Sequence, residues 1–585
     1  MHTLLERGVI TEDELPTQPA QPKAVRPTGI IARDIGPSID EGAVITASPL
    51  DCVYLSRRAF VAAAAIAGGF ALAGCGRSTS PAASTASSTA TSLDAAIAAA
   101  ETARPHTART VTASLTPQPE TIDLGGKLAR TLAYGSGIPG PLIRADDGDE
   151  LAVTVANRLN HPTSVHWHGI ALRNDMDGVT PATPNIDGGR HFTYRFSSPD
   201  PGTYWAHPRT GLDADYGLYL PVIIDDPREP GGYDAEWIAV LDEWTDGIGK
   251  TPQLHYDDLH GKHMPAMDNM PGMGTMPGMA GMAGVGSSPP LGGDAGDISY
   301  LYYLINGRIP AAPTSFAAKP GQRIRIINAG SDTAFRIALA GHTMTVTHTD
   351  GYPVQPTDVD ALLMGMGERY DVTVTAGTGV FPLVAMAEGK NTVASALPST
   401  GAGTAPDPAF QPPELNGRLG TADIFTATPA DDLGSAKPDT TLTAELSGTM
   451  MAYDWKINGR AFTDTQPLPI RQGQRATLTF NNTTMMWHPM HLHGHLPGAQ
   501  ARRQPRPPQG HHHRTAQAES QRHPRRRQPR HLDAALPQHL PPRSRHDDQP
   551  QLRHLTMFGA RRRELRSSTG MGRPQWVPTD PSERE

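Results

Sequence analysis

The feature that most limits what this chain can fold into is a series of short apolar segments separated by turn-forming residues. Between residues 111 and 227, segments such as LAVTVANRL (151–159) and FTYRF (192–196) alternate apolar and polar side chains, with Gly, Pro, Asn or Asp between them. A period of two is typical of strands that bury one face. The 59 glycines and 56 prolines also favour short strands and turns over long helices. The sequence therefore predicts an all-β fold.

Two pairs of similar segments indicate that this β pattern is duplicated. YYLINGR (302–308) resembles DWKINGR (454–460), and GQRIRIINAG (321–330) resembles GQRATLTFNN (473–482). A repeat of about 150 residues fits one β-sandwich domain per repeat. We therefore expect complete sandwiches at 109–227 and 228–397, a connector at 398–441 and a partial third sandwich at 442–495.

The N-terminal part of the chain has the pattern of an export signal. In SRRAFVAAAAIAGGFALAGCG, Arg57 and Arg58 precede an alanine-rich run that is too short to cross a bilayer comfortably as a permanent helix, which suits a twin-arginine signal. LAGC, ending at Cys75, resembles a lipobox and predicts lipidation of Cys75 and membrane attachment. A buried alanine-rich helix is the alternative. We expect an N-terminal extension at 1–56, the signal at 57–75, a linker at 76–108, and an exported protein in the cell envelope or a periplasm-like space.

Residues 496–585 differ in composition from the rest of the chain. They contain 18 arginines, eight acidic residues and no Lys, Ile, Tyr, Cys or Asn. Such a composition cannot supply a strand-built core, so we expect a disordered tail. A nucleic-acid-binding arm is the alternative, but the absence of lysine and of interleaved aromatic residues argues against nucleic acid as a partner. We interpret the abrupt change as the product of an out-of-frame, GC-rich message.

Three histidine motifs have the spacing of metal ligands. SVHWHG carries His166 and His168, and GTYWAHPRTG carries His207. HPMHLHGH repeats the i, i+2 spacing at His491 and His493. Residues i and i+2 of a strand share a face, and neutral imidazoles on rigid strands suit copper. Any one of these histidines could be purely structural, but three motifs in corresponding β contexts predict a metal centre.

Together these motifs resemble the exported bacterial multicopper oxidases of the laccase and cuprous-oxidase type. IPGPLIRADDGD, HWHGIALRNDMDG, DPGTYWAHP, GLYLPVIIDDP, MGERYDV and HPMHLHGH carry the resemblance, which runs from about Arg109 to His495. It implies tandem cupredoxin-like sandwiches, the third of them truncated, in a monomeric chain with a role in copper tolerance. It also implies copper as cofactor, Cu(I) or a small phenol as reductant, and dioxygen as oxidant.

The resemblance implies a role for each histidine. His166 and His491 resemble ligands of a type 2 copper, and His488 resembles a ligand of a type 1 copper. The ligands of a type 3 copper pair are represented by His168, His207 and His493.

A methionine-rich segment points to Cu(I) as the donor. Methionine recurs at every third residue of the segment 264–282. Its members are Met264, Met267, Met270, Met273, Met276, Met279 and Met282. Gly and Pro exclude a helix here, whereas an extended polyproline-like chain would align the thioethers on one side. Soft thioethers prefer Cu(I), so we expect a Cu(I)-capture loop; a flexible loop with accidental methionines is the alternative.

Two departures from the family pattern bear on activity. The second motif reads His207-Pro208-Arg209 where the family has His-x-His, and a guanidinium has no lone pair to offer a metal. No cysteine follows Cys75, so the thiolate that a type 1 copper needs is missing and this site cannot form from this sequence. The sequence therefore predicts either an impaired multicopper oxidase or a non-catalytic, exported copper-binding protein.

Overall fold

The computed structural model describes residues 97–493 together with residue 95 and the backbone of a few short strands beyond 493. Gaps within this range lie at 181, 230, 262–285, 433–436, 450–452, 462–467, 472–473 and 485. The N-terminal extension, the signal with Cys75, most of the linker, the seven methionines and most of 496–585 thus lie outside the described residues. None of the helices within the described ranges has the length and apolar character needed to cross a membrane.

The first group of strands forms a sandwich around one core. Its strands are β1 (Thr110–Leu115), β2 (Gln118–Asp123), β3 (Leu128–Ala133), β4 (Ile143–Asp146), β5 (Glu150–Ala156), β6 (His166–His168), β7 (His191–Ser197), β8 (Gly202–His207) and β9 (Leu220–Asp225). One sheet has the order β1-β5-β7 and the other β4-β9-β8-β6, and β2 pairs with β3. Apolar faces such as Leu151, Val153 and Val155 of β5 meet Trp167 and Ile224 in the core.

The second group contains two six-stranded sheets and the one long helix of the described chain. Its elements are β10 (Ala235–Trp244), α1 (Pro252–Leu259), β11 (Tyr302–Ile305), β12 (Thr314–Ala317), β13 (Gly321–Asn328), β14 (Phe335–Leu339), β15 (Met344–Thr349), β16 (Tyr352–Val359), β17 (Ala361–Met364), β18 (Arg369–Thr375), β19 (Leu383–Ala387), β20 (Val393–Ser399) and β21 (Leu419–Gly420). The sheet orders are β11-β10-β13-β18-β15-β16 and β12-β20-β19-β14-β17-β21. Thr251 caps α1, since its side chain accepts a hydrogen bond from the Leu254 N–H.

A buried polar cluster ties the second group to β8 of the first. Arg325 donates to the Thr203 hydroxyl at 2.8 Å, and Thr203 donates to Asp371 at 2.6 Å. Arg323 donates to the same carboxylate at 2.6 Å. Because buried charges are stable only when paired, this cluster fixes the strand that ends at His207.

The third group repeats the second in part. Its strands are β22 (Thr440–Ser447), β23 (Lys456–Ile457), β24 (Leu468–Arg471), β25 (Arg475–Asn482), β26 (Met490–Leu492), β27 (Leu496–Pro497), β28 (Arg502–Arg503), β29 (His512–Glu519), β30 (Leu552–Leu555) and β31 (Met557–Gly559). β22 runs parallel to β25 as β10 runs parallel to β13. Asn306 and Asn458 occupy equivalent turns at φ 51° and 50°, and each accepts a 2.8 Å hydrogen bond from a strand N–H. The predicted duplication is therefore present in the backbone.

Short backbone strands lie within 496–585, the segment in which composition predicts a disordered tail. β29 pairs antiparallel with β25 along its full length, and β30 and β31 pair with β24 and β26. The physical reason is the sheet edge: β25 presents unpaired N–H and C=O groups that any extended backbone can satisfy. In the described part of the third group the core is small, centred on Ala444, Leu478 and Phe480.

Candidate metal centre

The register of β6 and β8 brings three histidines together. His166 lies opposite His207, and His168 lies opposite Trp205. The i, i+2 spacing places both β6 imidazoles on one face, while Trp167 between them is fully buried in the first core. The ligand atoms of His166, His168 and His207 all lie within 4.8 Å of one another, and all three residues are buried.

The third group adds two histidines to the same place. Nε2 of His491, on β26, lies 3.3 Å from Nε2 of His166. The His491 ring stacks on His168 at 3.8 Å between centroids, and His493 stacks on His166 at 4.1 Å. His166, His491 and His493 form a second group whose ligand atoms lie within 4.8 Å of one another. Five of the six histidines predicted from sequence thus converge from the first and third groups.

Asp177 is a carboxylate of this centre to which the sequence motifs gave no role. It follows the 3-10 turn Asn174–Met176, and its Oδ2 accepts from Nδ1 of His493 at 2.9 Å. Its backbone oxygen accepts from Nδ1 of His166, also at 2.9 Å. Asp177 therefore directs the Nε2 atoms of both rings toward the centre, as carboxylates behind metal-binding histidines do. The sequence could have indicated this role, because Asp177 lies in HWHGIALRNDMDG, one of the motifs that carry the family resemblance.

The electrostatics of the centre favour the neutral form of three of its imidazoles, those of His168, His491 and His493. Burial lowers the pKa of His168 and of His491 well below the ordinary histidine value, and neighbouring imidazoles and Arg369 act in the same direction. Burial is the largest cause that lowers the pKa of His493, to about 3. Burial also raises the pKa of Asp177, but His166 and His493 more than offset this and hold it below its usual range. Neutral imidazoles with one carboxylate behind them are a donor set that copper accepts.

The second group closes the centre from outside. A methyl group placed on Gly367 would lie 2.9 Å from Cε1 of His168, so this turn packs directly on the ring. Arg369 donates to the Gly367 carbonyl at 3.0 Å and to the Thr203 carbonyl at 3.1 Å, which joins the turn to β8. Both residues belong to MGERYDV, a motif from which sequence reasoning derived no role in the site.

His488 lies apart from this centre. Within the described residues it belongs to neither histidine group. Its Nε2 lies 2.8 Å from the Thr484 hydroxyl, and its ring contacts Trp455 edge-on at 5.1 Å between centroids. Burial lowers its pKa to about 4. The type 1 role that the resemblance implies for His488 stays a prediction.

Repeated β-sandwiches that pool histidines from the first and third groups define the class of multidomain copper proteins built from cupredoxin-like domains. Three multicopper oxidase family models match the chain in succession, at residues 117–229, 235–404 and 436–528. The chain therefore belongs to the multicopper oxidase family, whose members are copper-dependent oxidoreductases. The third match continues beyond His495, into the segment that contains β29.

Similarity to individual proteins supports the assignment to this family. The chain is 64% identical over 442 residues to the multicopper oxidase MmcO of Mycobacterium tuberculosis, covering 75% of this chain and 85% of the relative. It is 26% identical over 476 residues to a copper resistance protein A homolog of Pseudomonas syringae pv. tomato, covering 64% and 80%. Among solved structures, Fet3p, a multicopper oxidase that functions in iron import, matches with a TM-score of 0.55 and 18% identity over 68% of this chain and 77% of that one. The predicted family and all-β cupredoxin-like fold are confirmed, with copper as the family's cofactor.

Proposed function

We propose that this chain serves copper tolerance as a copper-binding member of its family whose oxidase turnover is impaired. The observation that carries copper binding is the convergence of five imidazoles, four of them buried, on one point from two separate groups of strands. The name of the Pseudomonas relative as a copper resistance protein supports the physiological role. Impairment is supported by the absence of any cysteine after Cys75 and by Arg209 two residues after His207.

Copper bound in this family supplies one-electron chemistry, through which a reductant such as Cu(I) or a phenol is oxidised and dioxygen is reduced. The chain's own residues do the positioning. Asp177 orients His166 and His493 through Nδ1, and the Pro208 carbonyl accepts from Nδ1 of His207 at 2.9 Å. Burial favours the neutral form of His168, His491 and His493, because it lowers their pKa values.

A fully active oxidase is the second candidate, favoured by the 64% identity to a relative named a multicopper oxidase. Both candidates keep the predicted exported location and the lipidation of Cys75 as expectations, which N-terminal mass spectrometry of the membrane fraction would test. The methionine-rich segment remains a predicted Cu(I)-capture loop: replacing its seven methionines with serine should weaken Cu(I) binding.

One experiment separates the two candidates. The purified chain is loaded with copper, and its visible and EPR spectra are recorded beside oxygen uptake with Cu(I) and with a phenol. We expect bound copper, no intense blue band and no uptake, because the blue band requires a thiolate ligand. A blue protein that consumes oxygen would show that impairment is wrong. A His166→Ala variant, in which the centre loses a ligand shared by both groups, is the control for copper bound elsewhere.

A further inference from the structure

The two histidine groups share one residue, and this limits how many ions the centre can hold. His166 belongs both to the group with His491 and His493 and to the group with His168 and His207. Its Nδ1 is engaged with the Asp177 carbonyl, so Nε2 is the nitrogen that it can offer to a metal. One imidazole nitrogen has one lone pair. An ion in either group therefore deprives the other group of its third ligand.

The negative charge of Asp177 favours one of the two groups. Its carboxylate lies 2.9 Å from Nδ1 of His493 and 3.3 Å from Nδ1 of His166. Such a carboxylate raises the basicity of the ligand and stabilises the charge of the ion. Nδ1 of His168 instead lies 3.3 Å from Nε2 of His207, so its contact there is an imidazole and not a carboxylate. The first ion should therefore bind at His166, His491 and His493.

Arg209 opposes the binding of further ions. Its backbone N–H donates to the Ser164 hydroxyl at 3.0 Å, which fixes this positively charged residue two positions after His207, beside the centre. A guanidinium stays protonated and offers no lone pair. The negative charge of Asp177 offsets the positive charge of Arg209 when one ion binds. Each additional cation is repelled by Arg209, Arg369 and the first ion, and the buried interior screens this repulsion poorly.

We propose that the histidine centre of this chain binds a single copper ion, through His166, His491 and His493, and that Arg209 is the residue that prevents a fuller complement. This inference rests on the proposed copper-binding function. The proposed function requires only that copper binds, whereas this inference also fixes the number of copper ions per chain, which can be measured separately.

The test uses Cu(II), because the soft thioethers of the methionine-rich segment prefer Cu(I). Equilibrium dialysis of the full chain, followed by metal analysis, should give one Cu(II) more per chain than the His166→Ala variant. EPR should show an isolated Cu(II) with nitrogen hyperfine structure and no half-field signal from a coupled pair. The affinity loss should be at least 10-fold greater for His491→Ala than for His168→Ala.

An Arg209→His variant should bind at least one further ion, whereas Arg173→His, at a partly exposed ion pair with Asp175, should bind the same number as the unchanged chain. Two or more ions per chain beyond those that the His166→Ala variant binds, or a coupled EPR signal, would overturn the single-ion proposal while leaving copper binding intact. Absence of any Cu(II) dependent on His166 would overturn the proposed function as well. Metal analysis of the unchanged chain, compared with the number of EPR-active Cu(II) spins, decides the matter even if a variant fails to fold, because a strongly coupled pair adds copper without adding an EPR signal.

Discussion

At the scale of single residues, Asp177 shows how a site depends on groups that never touch the ligand. Its side chain and its backbone oxygen each hold one imidazole by Nδ1, so one residue fixes the tautomer and the direction of two rings. A buried carboxylate is costly unless it is hydrogen-bonded, and here the two histidines repay that cost. Asp177 is thus a positioning residue of the candidate centre.

Replacing Asp177 with asparagine should weaken copper binding about 10-fold to 100-fold, the usual effect of losing an outer-shell carboxylate. The amide keeps the shape of the side chain but loses its negative charge. Copper titration against a competing chelator gives the affinity. Asp175→Asn is the matched control, because this neighbouring carboxylate pairs with Arg173 instead of with the histidines. Equal affinities for the two variants would show that the carboxylate has no role in binding.

At the scale of elements, the turn between β17 and β18 acts as the outer wall of the centre. Gly367 has φ +81°, a conformation that favours glycine, and its Cα faces the ring of His168. Arg369, at the start of β18, holds the turn against β8. The second group thus contributes to the site through packing and backbone hydrogen bonds.

A Gly367→Ala substitution should displace the ring of His168, because the new methyl group would lie 2.9 Å from it. Gly341→Ala is a close control: its φ is +72°, but nothing lies within 4 Å of the added methyl group. Both variants should lose about 1 kcal/mol from backbone strain. Only Gly367→Ala should change the histidine environment, which NMR of ring protons in the metal-free chain would report. Identical histidine spectra for the two variants would contradict this packing.

At the scale of the whole molecule, the third group depends on strands from a segment that composition marks as unable to form a core. β25 lies between β22 and β29, just as the equivalent strand β13 lies between β10 and β18 in the second group. β29 therefore takes the place that β18 has in the second group. A chain ending at residue 497 should leave one edge of β25 unpaired. Hydrogen exchange at 475–482 should then accelerate, and exchange at 321–328 should not. Unchanged exchange at 475–482 would show that β29 does not protect β25.

Features of the fold and of the candidate centre that depend on neighbouring residues could be predicted from the sequence, whereas those that depend on contacts between distant segments could not. The i, i+2 rule places His166 and His168 on one face, and the family resemblance implies that His491 joins them. That His166 is shared between two groups depends on the three-dimensional meeting of β6, β8 and β26. The roles of Asp177 and Gly367 likewise depend on packing between segments far apart in the chain, which no local pattern encodes. The pairing of β29 was missed because composition predicts cores better than edge hydrogen bonds.

The metal-free molecule should lose stability as the pH falls from about 6.5 toward 4. Burial lowers the folded-state pKa values of His168 and His491 below the ordinary value of about 6.5, and it lowers those of His488 and His493 to about 4 and about 3. In this window the unfolded chain takes up protons that the folded chain does not, so the free energy of unfolding falls by up to about 1.4 kcal/mol per pH unit for each such histidine. The carboxylate of Asp177, with its lowered pKa, adds stability that is present above about pH 4 and lost below it.

Thermal unfolding in the presence of a chelator, at half-unit steps from pH 7 to pH 4.5, gives this slope. The His488→Gln variant should show a slope smaller by about one proton, because it removes one buried group that titrates only on unfolding. The exposed His191 is the control, and His191→Gln should keep the slope of the unchanged chain. Copper should shift the onset of the loss to lower pH, since protons must then displace the ion before they reach the imidazoles. A stability that does not vary between pH 7 and pH 5 would mean that the histidines are already solvated in the folded chain, and the buried, neutral centre would not exist.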